Sequence, residues 1–189
     1  MWQLGLIGAG VVLALLSQRG PAKLGTVKSN VDGNEYRVQK LSDKQAAADL
    51  MAEVHKNLET LINHYKSDPA SMADPRVKVM IERFNPNNMM ENDINESSTS
   101  YSENKGEKIV VCLREKTAGY PLIDENTIMF VILHEMAHLM TTTIGHTPEF
   151  WANFRRILND ASGIGVYHPV NYSKSPVNYC GMTITDSPL

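Results

Sequence analysis

His134, Glu135 and His138 form the one stretch of this 189-residue chain whose residue types and spacing point directly to chemistry. The two histidines are four residues apart, so a helix would place them one turn apart on the same face. Two imidazoles held that way reach a single metal ion at about 2.0–2.1 Å, the distance zinc requires. Glu135 would project beside the ion rather than onto it, where it can take a proton from water activated by the metal. His-Glu-x-x-His on a helix is a pattern with that mechanism. The setting supports the helix: Ile128 to Leu133 is an unbroken apolar run leading into the motif, as expected of a helix buried on nearly all sides. A carboxylate in such surroundings is costly without a partner, and a metal with its water would provide one. Asp124 is placed to cap the helix start.

Two histidines leave a catalytic zinc one protein ligand short, since three plus water is the usual arrangement. His146, directly after Gly145, is the leading candidate, because the glycine suits the tight turn at a helix end. Glu149 and His168 are the rivals. Glu149 falls in the first turn of a following helix marked by Thr147-Pro148, where an acidic residue complements the helix dipole. Hydrolysis of a peptide passes through an oxyanion that a donor can stabilise; Tyr167, His168, Tyr172 and Tyr179 are the candidates, and the sequence does not choose among them.

The elements that must position these residues can be read in outline. Asp43 opens a long amphipathic helix to about Lys66, with Ala47, Leu50, Met51, Val54, Leu58, Leu61, Ile62 and Tyr65 on its apolar face. His55 and His64 on it read as surface or boundary residues. A shorter helix carries Val77, Met80, Ile81 and Phe84. Residues 85–100 are rich in Asn and Ser and read as a mobile surface loop, with a flap near the cleft as the functional alternative. Asn104-Lys105-Gly106 marks a turn between extended runs, and Ile109 to Leu113 reads as a buried strand in a hairpin. Phe150, Trp151, Phe154, Ile157 and Leu158 form an apolar helical face suited to packing on the motif helix. Cys112 and Cys180 belong to no Cys-x-x-Cys pair and read as reduced, partly buried thiols, with a disulfide as the alternative in an oxidising compartment.

At its N-terminus, Trp2 to Ser17 is uncharged and almost wholly apolar. With its edges it approaches the length of a membrane span, so residues 1–18 read as a transmembrane anchor and 19–42 as a linker with a short strand near Tyr36 to Val38. Arg19, Lys23 and Lys28 follow the apolar run, and by the positive-inside rule they place the remainder, residues 43–186, on the cytoplasmic side of a single-pass protein. The formal net charge of -3 offers no basic surplus for nucleic acid.

The stretch HEMAHLMTTTIGHTPEFW resembles the SprT/WLM group of zinc peptidases, and WLM more closely. The shared features are Ala137 before the second histidine, His146 after a short loop, and the Phe150-Trp151 pair. The metzincin pattern fits poorly, because Thr141 and Ile144 stand where it has Gly and His. The resemblance implies a compact zincin-like α+β fold, with the active-site helix against a short, mainly antiparallel sheet whose edge strand lines the cleft. It implies zinc as cofactor, His134, His138 and His146 as ligands, Glu135 as the catalytic base, and a protein or peptide substrate. Some members of the group act on proteins crosslinked to DNA, but the apolar N-terminal run and the lack of a basic surplus set this chain apart from that role. Besides a membrane-anchored endopeptidase, two other readings are a non-catalytic zinc-stabilised binding module and a hydrolase of another amide.

Overall fold

The structure is a computed structural model that describes residues 24–95, 99–103 and 108–189. The expected anchor at residues 1–18 and the Asn104-Lys105-Gly106 turn lie outside the described residues. Among the described residues, no helix is long and apolar enough to cross a membrane.

A five-stranded sheet and a set of helices enclose one core. The strands are β1 (Leu24–Lys28), β2 (Glu35–Gln39), β3 (Met89–Glu91), β4 (Tyr101–Glu103) and β5 (Lys108–Val111), in spatial order β1-β2-β3-β5-β4. The β1/β2 and β4/β5 pairs are antiparallel, whereas β3 pairs parallel with both β2 and β5. The sheet is therefore mixed rather than mainly antiparallel. The β2/β3 pair is parallel because α1 (Lys44–Ser67), α2 (Pro69–Ala73) and α3 (Pro75–Arg83) intervene between its strands, and a parallel neighbour needs a crossover of that kind. β5 runs parallel to β3 because the chain forms the outer strand β4 first and β5 pairs antiparallel with it.

The hairpin β1–β2 lies in the segment expected as a linker, where β2 is the short strand expected near Tyr36 to Val38 and β1 is an addition to it. Tyr36 and Val38 alternate inward with exposed Glu35 and Arg37, which joins this hairpin to the core. The greater departure is β3, a central strand within the segment expected as a mobile loop. Its Glu91 is buried and its carboxylate receives Arg114 Nε at 2.7 Å and the Gln39 backbone N–H at 2.6 Å. Arg114 also reaches Asp43 at 2.6 Å. Asp43 precedes α1 without capping it through its side chain, because the carboxylate is spent on Arg114. β5 is buried along Ile109 to Val111, in keeping with its β-branched run.

Helix α4 (Glu125–Leu139) is buried on most sides and packs on α1, α3 and α5 (Pro148–Gly163). The Asp124 carboxylate accepts from Thr127 N–H, and Thr147 Oγ1 accepts from Phe150 N–H at the start of α5. Both caps are those expected from sequence. His55 is buried, not at the surface: its Nε2 lies 3.2 Å from Asn87 Oδ1 and its ring stands edge-on to Tyr36.

A short hairpin, β6 (Val177–Tyr179) and β7 (Met182–Ile184), completes the chain. Its turn, Cys180-Gly181, has φ of 55° and 82°, the left-handed pair that a tight hairpin turn requires. Cys180 is disulfide-bonded to Cys112, so the expectation of two reduced thiols is corrected. Cys112 directly follows β5 and the hairpin folds back over it, a proximity that a separation of 68 residues conceals in the sequence.

Candidate metal centre

Three histidines converge at the C-terminal half of α4. His134 and His138 occupy adjacent turns, with Nε2 atoms 3.1 Å apart. His146 Nε2 lies 3.2 Å from that of His134. All three offer ligand atoms within 4.8 Å of one another. Tetrahedral zinc with bonds of about 2.05 Å separates its nitrogens by about 3.3 Å, so the spacing suits such an ion. Burial, reinforced by the neighbouring imidazoles, depresses the His134 pKa to about 3, and burial lowers that of His138. Neutral imidazoles are the ligating form.

The loop between α4 and α5 delivers His146. Gly145 takes a φ of 84°, which reverses the chain at no steric cost. Glu149, the rival ligand, is committed elsewhere. Its carboxylate accepts from the backbone N–H groups of Thr142 and Thr143 at 3.1 and 3.3 Å and from both hydroxyls. Those bonds hold its pKa below the ordinary range. Glu149 thus shapes the loop and leaves the cluster to His146. The other rival, His168, is bonded through its backbone to the Asn126 side chain near the N-terminal end of α4.

Asn153 went unnoticed in the sequence. It is buried on α5 and donates through Nδ2 to the Met140 carbonyl and to Thr141 Oγ1, each at 3.1 Å. Its Oδ1 accepts from Arg76 at 3.0 Å. The Asn therefore fastens the end of the histidine helix to α5. A polar residue interrupting the apolar face between Phe150 and Phe154 was the available signal. Phe150 itself stacks on His138, ring centres 4.3 Å apart, and meets His134 edge-on.

Glu135 borders a cleft of about 320 Å³ together with His134 and His146. Burial pushes its carboxyl up to about 7. Of the four candidate oxyanion donors, Tyr179 alone borders this cleft, and its hydroxyl is bonded to Ser100 Oγ at 2.5 Å. Tyr167 and Tyr172 pack around Phe130. Thr99, from the segment read as loop or flap, also lines the cleft, as does the β6–β7 hairpin. The hairpin's part went unnoticed in the irregular C-terminal sequence.

The WLM domain model matches residues 31–174. An uncharacterized protein of Acanthamoeba polyphaga mimivirus is 28% identical over 188 residues, covering 97% of this chain and 94% of its own. An uncharacterized protein of Invertebrate iridescent virus 6 is 37% identical over 101 residues, covering 52% of this chain and 56% of its own. Among solved structures, Wss1 from Saccharomyces cerevisiae is similar in fold, with a TM-score of 0.50 at 19% identity, covering 67% of this chain and 85% of that one.

Proposed function

Because the chain belongs to the WLM domain family, we propose that it is a zinc-dependent metallopeptidase that hydrolyses peptide bonds with Glu135 as general base. The observation carrying this reading is the convergence of the His134, His138 and His146 ring nitrogens in an open cleft that the half-buried Glu135 also lines. His134, His138 and His146 hold the ion. Zinc, when bound, supplies Lewis acidity, lowering the pKa of water and polarising the scissile carbonyl. Glu135 accepts the proton of the attacking water and passes it to the leaving amine. Its burial favours the protonated form, and a nearby dication favours the ionised one, which suits a group that must do both.

The substrate is a protein or peptide laid along the cleft. β4, an outer strand of the sheet, is suited to pair with an extended substrate backbone. Tethering through residues 1–18 belongs to the same reading, supported by the uncharged run from Trp2 to Ser17 and the cations that follow it.

The test uses the purified full-length chain. About one zinc per chain is expected, and His134→Ala should lose it. Glu135→Gln should retain zinc while cleavage of an unfolded protein falls by about 10²–10⁴-fold. Undiminished cleavage by Glu135→Gln would remove Glu135 as the base, and unchanged zinc in His134→Ala would remove the ligand assignment.

A further inference from the structure

The cleft extends beyond the histidines and Glu135 into a region whose lining is largely apolar. Val131 sits on α4 one turn before Glu135, partly exposed to this space. Phe130 and Phe154, with ring centres 5.0 Å apart, are almost fully buried and form the floor of its lining. Trp151 adds a further aromatic face, and Met182 and Ile184 of β7 complete the apolar wall. Met182 is one of few large apolar residues left half exposed among those described.

The β7 part of this wall is fixed at both ends. At the hairpin turn, Cys180 is bonded to Cys112 beside β5. Beyond β7, Arg155 Nε donates to the Pro188 carbonyl at 2.7 Å, and Ser187 Oγ donates to that of Val170 at 3.3 Å. The hairpin lies after residue 174, where the family match ends, so the matched span contains the α4 and α5 side of the wall but not its β7 part.

We propose that this space is the subsite for a bulky apolar side chain of the substrate, next to the scissile bond, and that the C-terminal hairpin sets its selectivity. The proposal rests on the peptidase reading and adds a substrate class to it. A cavity of about 320 Å³ is within the range of pockets that enclose a small ligand. Its continuity with Glu135 and His146 makes the substrate itself the occupant. One methylene more or less in an apolar pocket changes selectivity by about 10- to 200-fold, so Phe or Leu should outrun Ala at one peptide position by at least about tenfold.

The experiment uses the zinc-loaded full-length chain and peptides varied singly to Phe, Leu, Ala or Asp at each position. Relative kcat/KM is measured with the parent, and peptide Kd with the Glu135→Gln variant. Val131→Phe fills the space and should bring the Phe-to-Ala preference to within about twofold. Ile184→Ala widens it and should move the preference toward the largest side chain, which covers the case in which Val131→Phe does not fold. Cleavage without an apolar preference at any position overturns the subsite and leaves the peptidase intact. Apolar preference in binding with no cleavage by the parent overturns the peptidase reading and with it the place beside a scissile bond, leaving only an apolar peptide-binding pocket. Neither cleavage nor binding preference overturns both.

Discussion

Asn153 Nδ2 lies 3.1 Å from the Met140 carbonyl, joining α5 to the last turn of the helix that carries His134 and His138. That carbonyl is among the C-terminal groups left without an intrahelical partner. Asn153→Leu keeps the branched heavy-atom skeleton but leaves a buried acceptor unpaired, at a cost of about 1–3 kcal/mol. The loop bearing His146 starts at the same place. The variant should therefore also hold zinc about tenfold less tightly, comparable to loss of a contact that supports a metal ligand. Urea unfolding of the zinc-free protein and chelator competition measure the two effects separately.

The contrast between Asn153 and His138 explains what could be read in advance. His134, Glu135 and His138 are legible because their juxtaposition follows from helical periodicity alone. His146 needed only a short loop and a glycine. Ile109 to Val111 announce a strand through branched apolar side chains. Met89–Glu91 give no such sign: three residues cannot display a period, and Glu91 belongs inside only because Arg114 arrives from 23 residues further on. The Cys112–Cys180 bond and the C-terminal cleft wall likewise depend on contacts distant in sequence.

Reduction of Cys112–Cys180 should destabilise the protein. The bond closes a loop spanning 68 residues, and chain-entropy arguments give about 4 kcal/mol for a loop of that size. Urea midpoints with and without a thiol reductant measure the loss. A fall of about 2–4 kcal/mol is expected, with the Cys112→Ala/Cys180→Ala double variant matching the reduced parent and insensitive to reductant.

Asp74 should make stability depend on acidity. Its carboxylate caps α3 through Arg76 N–H and pairs with the Arg76 and Arg156 guanidinium groups at 2.7 and 2.6 Å. The Arg76 hydrogen bond is the chief reason its pKa lies far below the usual range. With a folded pKa below an unfolded value of about 3.9, its contribution is present above that pH and lost as pH falls further toward the folded value. Asp74→Asn retains a capping oxygen but no charge, so its stability should decline less steeply than the parent's below about pH 4. Asp74→Ala should cost about 1 kcal/mol more than Asp74→Asn at pH 7, through the lost cap. Thermal unfolding from pH 3 to pH 7 checks both.

Metal removal should separate a built site from a chance grouping of histidines. Neutral imidazoles with nitrogens 3.1 and 3.2 Å apart bring lone pairs together, and hydrogen bonds through bound protons are the only relief the rings themselves offer. A cation removes that conflict and binds the folded state alone, adding about 4 kcal/mol at a free concentration 1,000 times its Kd. A chelator should therefore lower the unfolding midpoint of the parent, and restored zinc should recover it. His138→Ala breaks the cluster, so its midpoint should respond to neither treatment. The same substitution also relieves the crowding, so zinc-free His138→Ala should be no less stable than the zinc-free parent, despite the lost ring contact with Phe150. A chelator-insensitive parent would instead mean that the three rings are held together by packing and hydrogen bonding alone.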